Sequence, residues 1–128
     1  MNIHRSGISS REFGFQIEEK ACEYLQRNQY RILRRNYFSR YGEIDIIAFD
    51  EKTLVFVEVR YRKEGALVSP AESIDSRKIR KLRLTIRDFI SKHSAITGEI
   101  TGIRTDLCAV SGSGERLEFR LTKGIIDY

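Results

Sequence analysis

The spacing of apolar and polar residues changes several times along this chain and predicts where its helices and strands lie. From Ser10 onwards apolar residues recur every three or four positions, which predicts an amphipathic helix. A second stripe of this kind, with Asp75 as a candidate N-cap, predicts a helix over Ser76–His93. Runs rich in β-branched and aromatic residues predict strands. These strands are Tyr30–Phe38, Gly42–Ala48, Leu54–Arg60, Ile103–Val110 and Glu115–Leu121.

The order of these elements predicts the fold class. A helix, three strands, a helix and two strands favour an α/β protein with a mixed β-sheet of about five strands flanked by helices. The 128 residues include one Pro and no linker-like stretch, so residues 1–128 are predicted to form a single domain. We expect residues 1–10 to be flexible, Lys63–Val68 to form a loop and Ser69–Glu72 to begin a short helical turn.

Two acids lie in the middle of the central strands, where the surrounding residues are strongly apolar. Asp45 and Glu58 would be buried there, and a buried carboxylate needs a partner. If they pair across the two strands, the turn reduces to Glu51-Lys52 and Ile46 falls opposite Val57. Like charges placed opposite each other destabilise a sheet. A divalent cation, Mg²⁺ or Mn²⁺, between the carboxylates would remove that repulsion.

The neighbouring charged residues leave alternatives open. Glu18 lies at the edge of the first apolar stripe, where it either pairs with an Arg or adds a carboxylate to the central acids. Glu43 shares a strand face with Asp45 and is either part of that site or a partner in a strand-end salt bridge. An ion pair between Glu58 and Arg60 would give Glu58 a purely structural role.

Basic residues are concentrated on the second helix. The chain has a formal net charge of +5, and the segment Ser76–His93 carries seven Lys and Arg residues but one acid. Such a strip suits contact with phosphates, although it is also compatible with a solvated face whose stems cover the core. The predicted nucleic-acid-binding residues are Arg62, Lys63, Arg77, Lys78, Arg80 and Lys81.

Other features restrict the environment and the chemistry. Cys22 and Cys108 stand far apart without ligand spacing, which predicts buried free thiols in a reducing compartment. We find no signal-peptide pattern and no apolar run of membrane-spanning length, so we expect a cytoplasmic protein without a membrane partner. The sequence contains no zinc motif, Gly-rich phosphate loop or nucleophile elbow.

The spacing of the central acids resembles a known nuclease motif. Asp45, followed thirteen positions later by Glu58 and then by Arg60, is similar to the core of the PD-(D/E)xK nucleases. More closely, residues from about 11 to 125 resemble the YraN-like family of bacterial proteins, which is related in fold to archaeal Holliday-junction resolvases. The matching residues are Gly14, Glu18, Ala21, Tyr24, Leu25, Asn36, Tyr37, Gly42–Ala48, Val55–Arg62, Lys78, Leu82, Arg104 and Asp106.

This resemblance implies a restriction-endonuclease-like core in which Glu18, Asp45 and Glu58 are the metal ligands. It also implies that Asp45, Glu58, Arg60 and Lys78 are the catalytic residues. Arg60 stands where these nucleases usually have Lys. Because Arg stays charged, it cannot act as a general base, but it can clamp a phosphate. Lys78 would then supply the missing ammonium group.

The sequence therefore predicts a nuclease-like protein that binds nucleic acid, with DNA rather than RNA the expected polymer. If active, it would use Mg²⁺ or Mn²⁺ to hydrolyse phosphodiesters in branched or single-stranded substrates. The alternatives are a catalytically silent nucleic-acid-binding module and a basic domain that binds an acidic protein. A homodimer is compatible with each of these functions.

Overall fold

The computed structural model describes residues 7–63 and 73–128. Of the predicted flexible stretch 1–10, residues 1–6 lie outside the described part, whereas Ser9 caps a helix that begins at Ser10. The predicted helical turn at Ser69–Glu72 and the predicted loop beyond Lys63 also lie outside it. The elements are α1 (Ser10–Arg27), β1 (Arg31–Ser39), β2 (Gly42–Asp50), β3 (Thr53–Arg62), α2 (Ser76–Lys92), α3 (Ser94–Thr97), β4 (Gly102–Ser111) and β5 (Glu118–Thr122).

The five strands form one sheet in the order β1-β2-β3-β4-β5. Strands β3 and β4 are parallel, and the other three neighbouring pairs are antiparallel. The parallel pair requires a crossover, and α2 lies in it, since parallel strands cannot be joined by a tight turn. The predicted mixed sheet flanked by helices is therefore confirmed, and it has the form of a restriction-endonuclease-like core.

Side-chain caps fix the first turns of both long helices. Ser9 accepts a hydrogen bond from the main-chain N–H of Glu12 at 3.1 Å and caps α1. The predicted cap of α2 is confirmed, because Asp75 accepts from the N–H of Lys78 at 2.9 Å. This bond lowers the pKa of Asp75. No described helix is both long and apolar enough to cross a membrane.

Each face of the sheet packs against one long helix. The α1 side contains Phe13, Ile17, Ala21, Leu25, Ile46, Ala48, Val55, Val57, Cys108 and Val110. The α2 side contains Tyr37, Ile44, Ile47, Leu54, Phe56, Leu82, Ile86 and Phe89. On this second side the rings of Phe56 and Phe89 meet edge to face with centroids 5.7 Å apart. Packing on both faces explains why the central strands are apolar on consecutive residues.

A network of ion pairs and hydrogen bonds surrounds Asp106 on β4. Asp106 is fully buried, and it accepts hydrogen bonds from Tyr30 Oη at 2.7 Å and from Arg104 Nε at 2.8 Å. The N–H of Gly124 donates to the same carboxylate at 3.0 Å. Arg104 also donates to Asp50 at 2.8 Å. The hydrogen-bonding capacity of the Asp106 carboxylate is thus filled by groups of the fold itself, and Asp106 has a structural role.

Strand β5 begins later than predicted, at Glu118 instead of Glu115. The reason is a wider loop after β4. Gly112 has a φ of 97°, and a Cβ atom there would collide with the carbonyl oxygen of Arg116. The N–H of Arg116 donates to the carbonyl of Ser113 at 2.9 Å. This turn uses the residues that had been predicted to start the strand.

Truncation of Phe56 tests the core on the α2 side. Because Phe56 is fully buried, we expect Phe56→Ala to lower the free energy of unfolding by about 3–5 kcal/mol. Phe38→Ala is the control, since Phe38 is 67% exposed, and its cost should stay below about 1 kcal/mol. Urea unfolding measures both values. Similar losses in the two variants would contradict this description of the core.

Candidate metal and phosphate site

The predicted pairing of the two central strands holds only up to the acids. Pairing runs in the predicted register from the turn to Ile46 and Val57, where it ends. The predicted rung between Asp45 and Glu58 is therefore not formed. Instead, Asp45 Oδ2 accepts a hydrogen bond from the main-chain N–H of Val59 at 2.8 Å. A carboxylate thus takes the place of a strand partner where β2 and β3 separate.

The alternation of side chains is interrupted at the same place. Ile46 packs on the α1 side and Ile44 on the α2 side, although residues two apart on a regular strand share a face. The neighbouring strand β1 is also irregular, since Asn36 has a left-handed φ of 54°. It lies between the pairs Arg35–Ile46 and Tyr37–Ile44. Irregularities of this kind re-aim side chains.

Three carboxylates converge beside this irregularity. Ligand oxygens of Glu18 on α1 and of Glu43 and Asp45 on β2 all lie within 4.8 Å of one another, and all three residues are half-buried. With its amide nitrogen turned toward them, Asn36 donates to Glu18 Oε1 at 2.9 Å and to Glu43 Oε1 at 3.1 Å. Oxygen ligands at this density fit a hard divalent cation such as Mg²⁺. We call these three acids the carboxylate cluster.

Two acids of the cluster, Asp45 and Glu18, have raised pKa values. Burial raises the pKa of Asp45 well above its usual range, with further contributions from a hydrogen bond to Glu58 and from that residue's charge. Burial also raises the pKa of Glu18, followed by the charge of Glu43. Desolvation and like charges thus act in the same direction. A bound cation would oppose both effects.

Glu58 lies next to the cluster but has cationic partners. It is 3% exposed, and its Oε2 atom is 3.0 Å from Lys78 Nζ on α2 and 3.5 Å from Arg60 Nη2 on β3. Neither contact is aligned as a hydrogen bond, so both are charge contacts. The structure therefore brings the predicted catalytic residues Asp45, Glu58, Arg60 and Lys78 together.

Of the predicted ligands Glu18, Asp45 and Glu58, the structure places Glu58 beside Asp45 but outside the three-acid cluster. Glu18 and Asp45 lie in the carboxylate cluster, whereas Glu58 contacts two cations. Glu43 completes the cluster and was not in the predicted set. The signal for it was present, since Glu43 shares a strand face with Asp45. What the sequence lacked was the position of Glu18 on the packed helix.

The predicted phosphate-binding residues differ in their exposure. Three of them are exposed along α2: Arg77, Arg80 and Lys81. Lys63 is exposed at the end of β3, whereas Arg62 is half-buried and donates to the carbonyl of Tyr61 at 2.7 Å. A Cβ atom at Gly42 would lie 3.8 Å from Lys81 Cβ, so the strip passes beside the start of β2. Phosphate binding by this strip stays a prediction.

Neutralising Asp45 should stabilise the metal-free protein. A raised pKa in the folded state means that the acid stabilises the fold below its unfolded pKa, and that this stability is lost as pH rises through the folded pKa. We expect Asp45→Asn, whose amide oxygen can still accept from Val59, to raise the Tm in EDTA at pH 8 by about 2–6 °C. The gain should vanish at pH 4. Asp127→Asn, at an exposed aspartate, is the control. Thermal unfolding that shows Asp45→Asn to be less stable at pH 8 would contradict the assignment.

Comparisons with known proteins identify relatives of the whole central region. Residues 17–110 match the family described as "Uncharacterised protein family UPF0102". A UPF0102 protein of Vibrio parahaemolyticus is 39% identical over 112 residues, covering 88% of this chain and 91% of the relative. One from Dichelobacter nodosus is 43% identical over 94 residues, covering 73% and 75%. The predicted YraN-like resemblance is confirmed: this chain belongs to the bacterial UPF0102 family.

Proposed function

We propose that this protein binds nucleic acid and hydrolyses phosphodiester bonds with the help of Mg²⁺ or Mn²⁺. The observation that carries the proposal is the convergence of Glu18, Glu43 and Asp45 within 4.8 Å. Directly beside them, Lys78 and Arg60 supply two cations. Acids for a metal and cations for a phosphate are the parts that hydrolysis of a phosphodiester requires.

The carboxylate cluster would hold the cation. Glu18 and Glu43 supply oxygens already directed to one place by Asn36, and Asp45 is held by the N–H of Val59. A bound divalent ion would supply a Lewis acid for a phosphate oxygen and lower the pKa of a water molecule. The half-buried setting strengthens the attraction between these acids and a cation, because water screens it less there.

Lys78 and Arg60 would contact the phosphate. Both approach the same oxygen of Glu58, which holds their charged groups close together at the edge of the cluster. Arg60 suits two phosphate oxygens at once through its planar guanidinium group. Lys78 provides an ammonium group from a different element, α2, and so supports the suggestion that it replaces the usual motif Lys.

The exposed Lys and Arg side chains on α2 support binding of a polyanionic substrate. Arg77, Arg80 and Lys81 face solvent along the helix that also carries Lys78. No ion pair within the described residues neutralises Arg80 or Lys81. Such a strip would attract the phosphate backbone of a nucleic acid and place it near the carboxylate cluster.

Cleavage assays test the proposal directly. We expect flap, junction and single-stranded DNA, and the corresponding RNA, to include a substrate that is cut with Mg²⁺ or Mn²⁺ but not in EDTA. Asp45→Asn and Glu43→Gln should each lower the rate at least about 100-fold, since they remove metal ligands. Lys78→Met should lower it, whereas Lys92→Met, on the same helix but paired with Asp88, should not. Cleavage that survives Asp45→Asn would overturn the assignment.

One observation favours a second function, a silent nucleic-acid-binding module. Glu58 is already neutralised by Lys78 and Arg60, so this part of the site needs no metal to be stable. In that case the basic surface would bind nucleic acid and the acids would do no chemistry.

Metal titration separates the two functions. For a true metal site, Mn²⁺ at about 100 times its Kd should stabilise the fold by about 2.7 kcal/mol, which thermal unfolding detects as a higher Tm. Asp45→Asn and Glu43→Gln should lose this shift, and Asp127→Asn should keep it. A wild-type Tm that does not respond to Mn²⁺ would favour the silent module.

A further inference from the structure

A groove of about 420 Å³ adjoins the carboxylate cluster between α1 and β1. One end is acidic and contains Glu18 and Glu43 together with Asn36. The remainder of the groove is formed by Ser10, Arg11, Gly14, Phe15 and Phe38. The same concave surface therefore joins the candidate metal ligands to two aromatic rings and an Arg.

The two rings are unusually exposed. Phe15 is 52% exposed and Phe38 is 67% exposed, whereas the adjacent Tyr37 is buried in the core. The guanidinium group of Arg35 lies 4.4 Å from the centre of the Phe15 ring and donates to the Phe15 carbonyl at 3.1 Å. This contact holds Phe15 in place. Within the part of the chain that the structure describes, no ring or guanidinium group stacks on Phe38.

We infer that this groove binds an unpaired nucleotide base next to the phosphate at the carboxylate cluster. The inference rests on the proposed function and deepens it, because it names the kind of strand that the site accepts. Exposed aromatic faces stack on any base, since every base has a π face. In a duplex both faces of a base are already covered by its neighbours. The groove therefore favours single strands and the unpaired arms of branched substrates.

The charge distribution favours a nucleotide over an acidic peptide. Glu18 and Glu43 would repel carboxylates along the acidic end of the groove, whereas a nucleotide places an uncharged base on the rings. Its phosphate would then lie where Lys78, Arg60 and a cation oppose its charge. Arg11, which is exposed and lines the groove, suits the phosphate of the next nucleotide.

Binding assays with a non-cleaving protein test this inference. Asp45→Asn serves as the background, and fluorescence anisotropy measures affinity for a flap with unpaired bases and for a fully paired duplex. We expect Phe38→Leu to weaken flap binding about 5- to 100-fold, which corresponds to the loss of one stacked base. Duplex affinity should change less than about twofold. Phe38→Trp retains a stacking face and should keep flap affinity within about threefold.

Leu33→Ala is the matched control, because Leu33 is also an exposed apolar residue of β1, at 38% exposure. It should leave both affinities unchanged. In addition, 2-aminopurine in the unpaired arm should be quenched on binding, and Phe38→Leu should abolish the quenching. Full flap affinity in Phe38→Leu, or an equal loss for flap and duplex, would overturn the inference.

Two further outcomes separate this inference from the proposed function. If light scattering shows a dimer that Phe38→Leu converts to a monomer while flap affinity is unchanged, the groove is a self-association surface and the inference is wrong. With Asp45 restored, the Mn²⁺-dependent rise in Tm should persist in the single variant Phe38→Leu, since Phe38 is not a metal ligand. A failed stacking test with an intact Mn²⁺ response would thus refute the groove alone.

Discussion

The separation of β2 from β3 after Ile46 and Val57 is the constraint on which the site depends. Continued pairing would make Asp45 and Glu58 a directly opposed pair on a regular sheet, where like charges are destabilising. Where the strands part, the main-chain N–H of Val59 still needs an acceptor, and Asp45 provides it at 2.8 Å. The same separation lets Asp45 join Glu18 on the α1 side while Glu58 meets Lys78 on the α2 side.

The acids of this protein fall into two groups that differ in their partners. Asp106 and Asp50 share Arg104, and Asp106 has further main-chain and Tyr donors, so this network is complete without any ligand. Glu18, Glu43 and Asp45 share only an amide and a main-chain N–H as donors in the described contacts, apart from Arg35, which lies 3.8 Å from Glu18. Burial raises the pKa of Asp45 and of Glu18, and the neighbouring carboxylates Glu58 and Glu43 add to the effect. Perturbed groups of this kind are characteristic of functional sites.

Two packed cores provide the rigidity that such a site requires. α1 carries Glu18 and is fixed to one face of the sheet by Ile17 and Leu25, which are buried. α2 carries Lys78 and is fixed to the other face by Leu82 and its neighbours. Because each helix is fixed by its own core, Glu18 and Lys78 reach the separated ends of β2 and β3 from opposite faces of the sheet. Groups held on helices and strands are positioned more precisely than groups on loops.

The sequence by itself determined the two long helices, the existence of the five strands, the fold class, the Asp75 cap and the hairpin register near the turn. Local periodicity and turn residues suffice for these because they encode which side chains are buried. The short helix α3 and the start of β5 did not follow from it. The sequence also singled out Asp45 and Glu58 as unusual. Only the tertiary structure decided where strand pairing ends, that Glu43 joins Glu18, and that Glu58 contacts Lys78. Each of these depends on strand irregularities or on helix docking between residues far apart in sequence. Local sequence patterns do not determine these contacts, since the same side-chain alternation is compatible with paired and with separated strands.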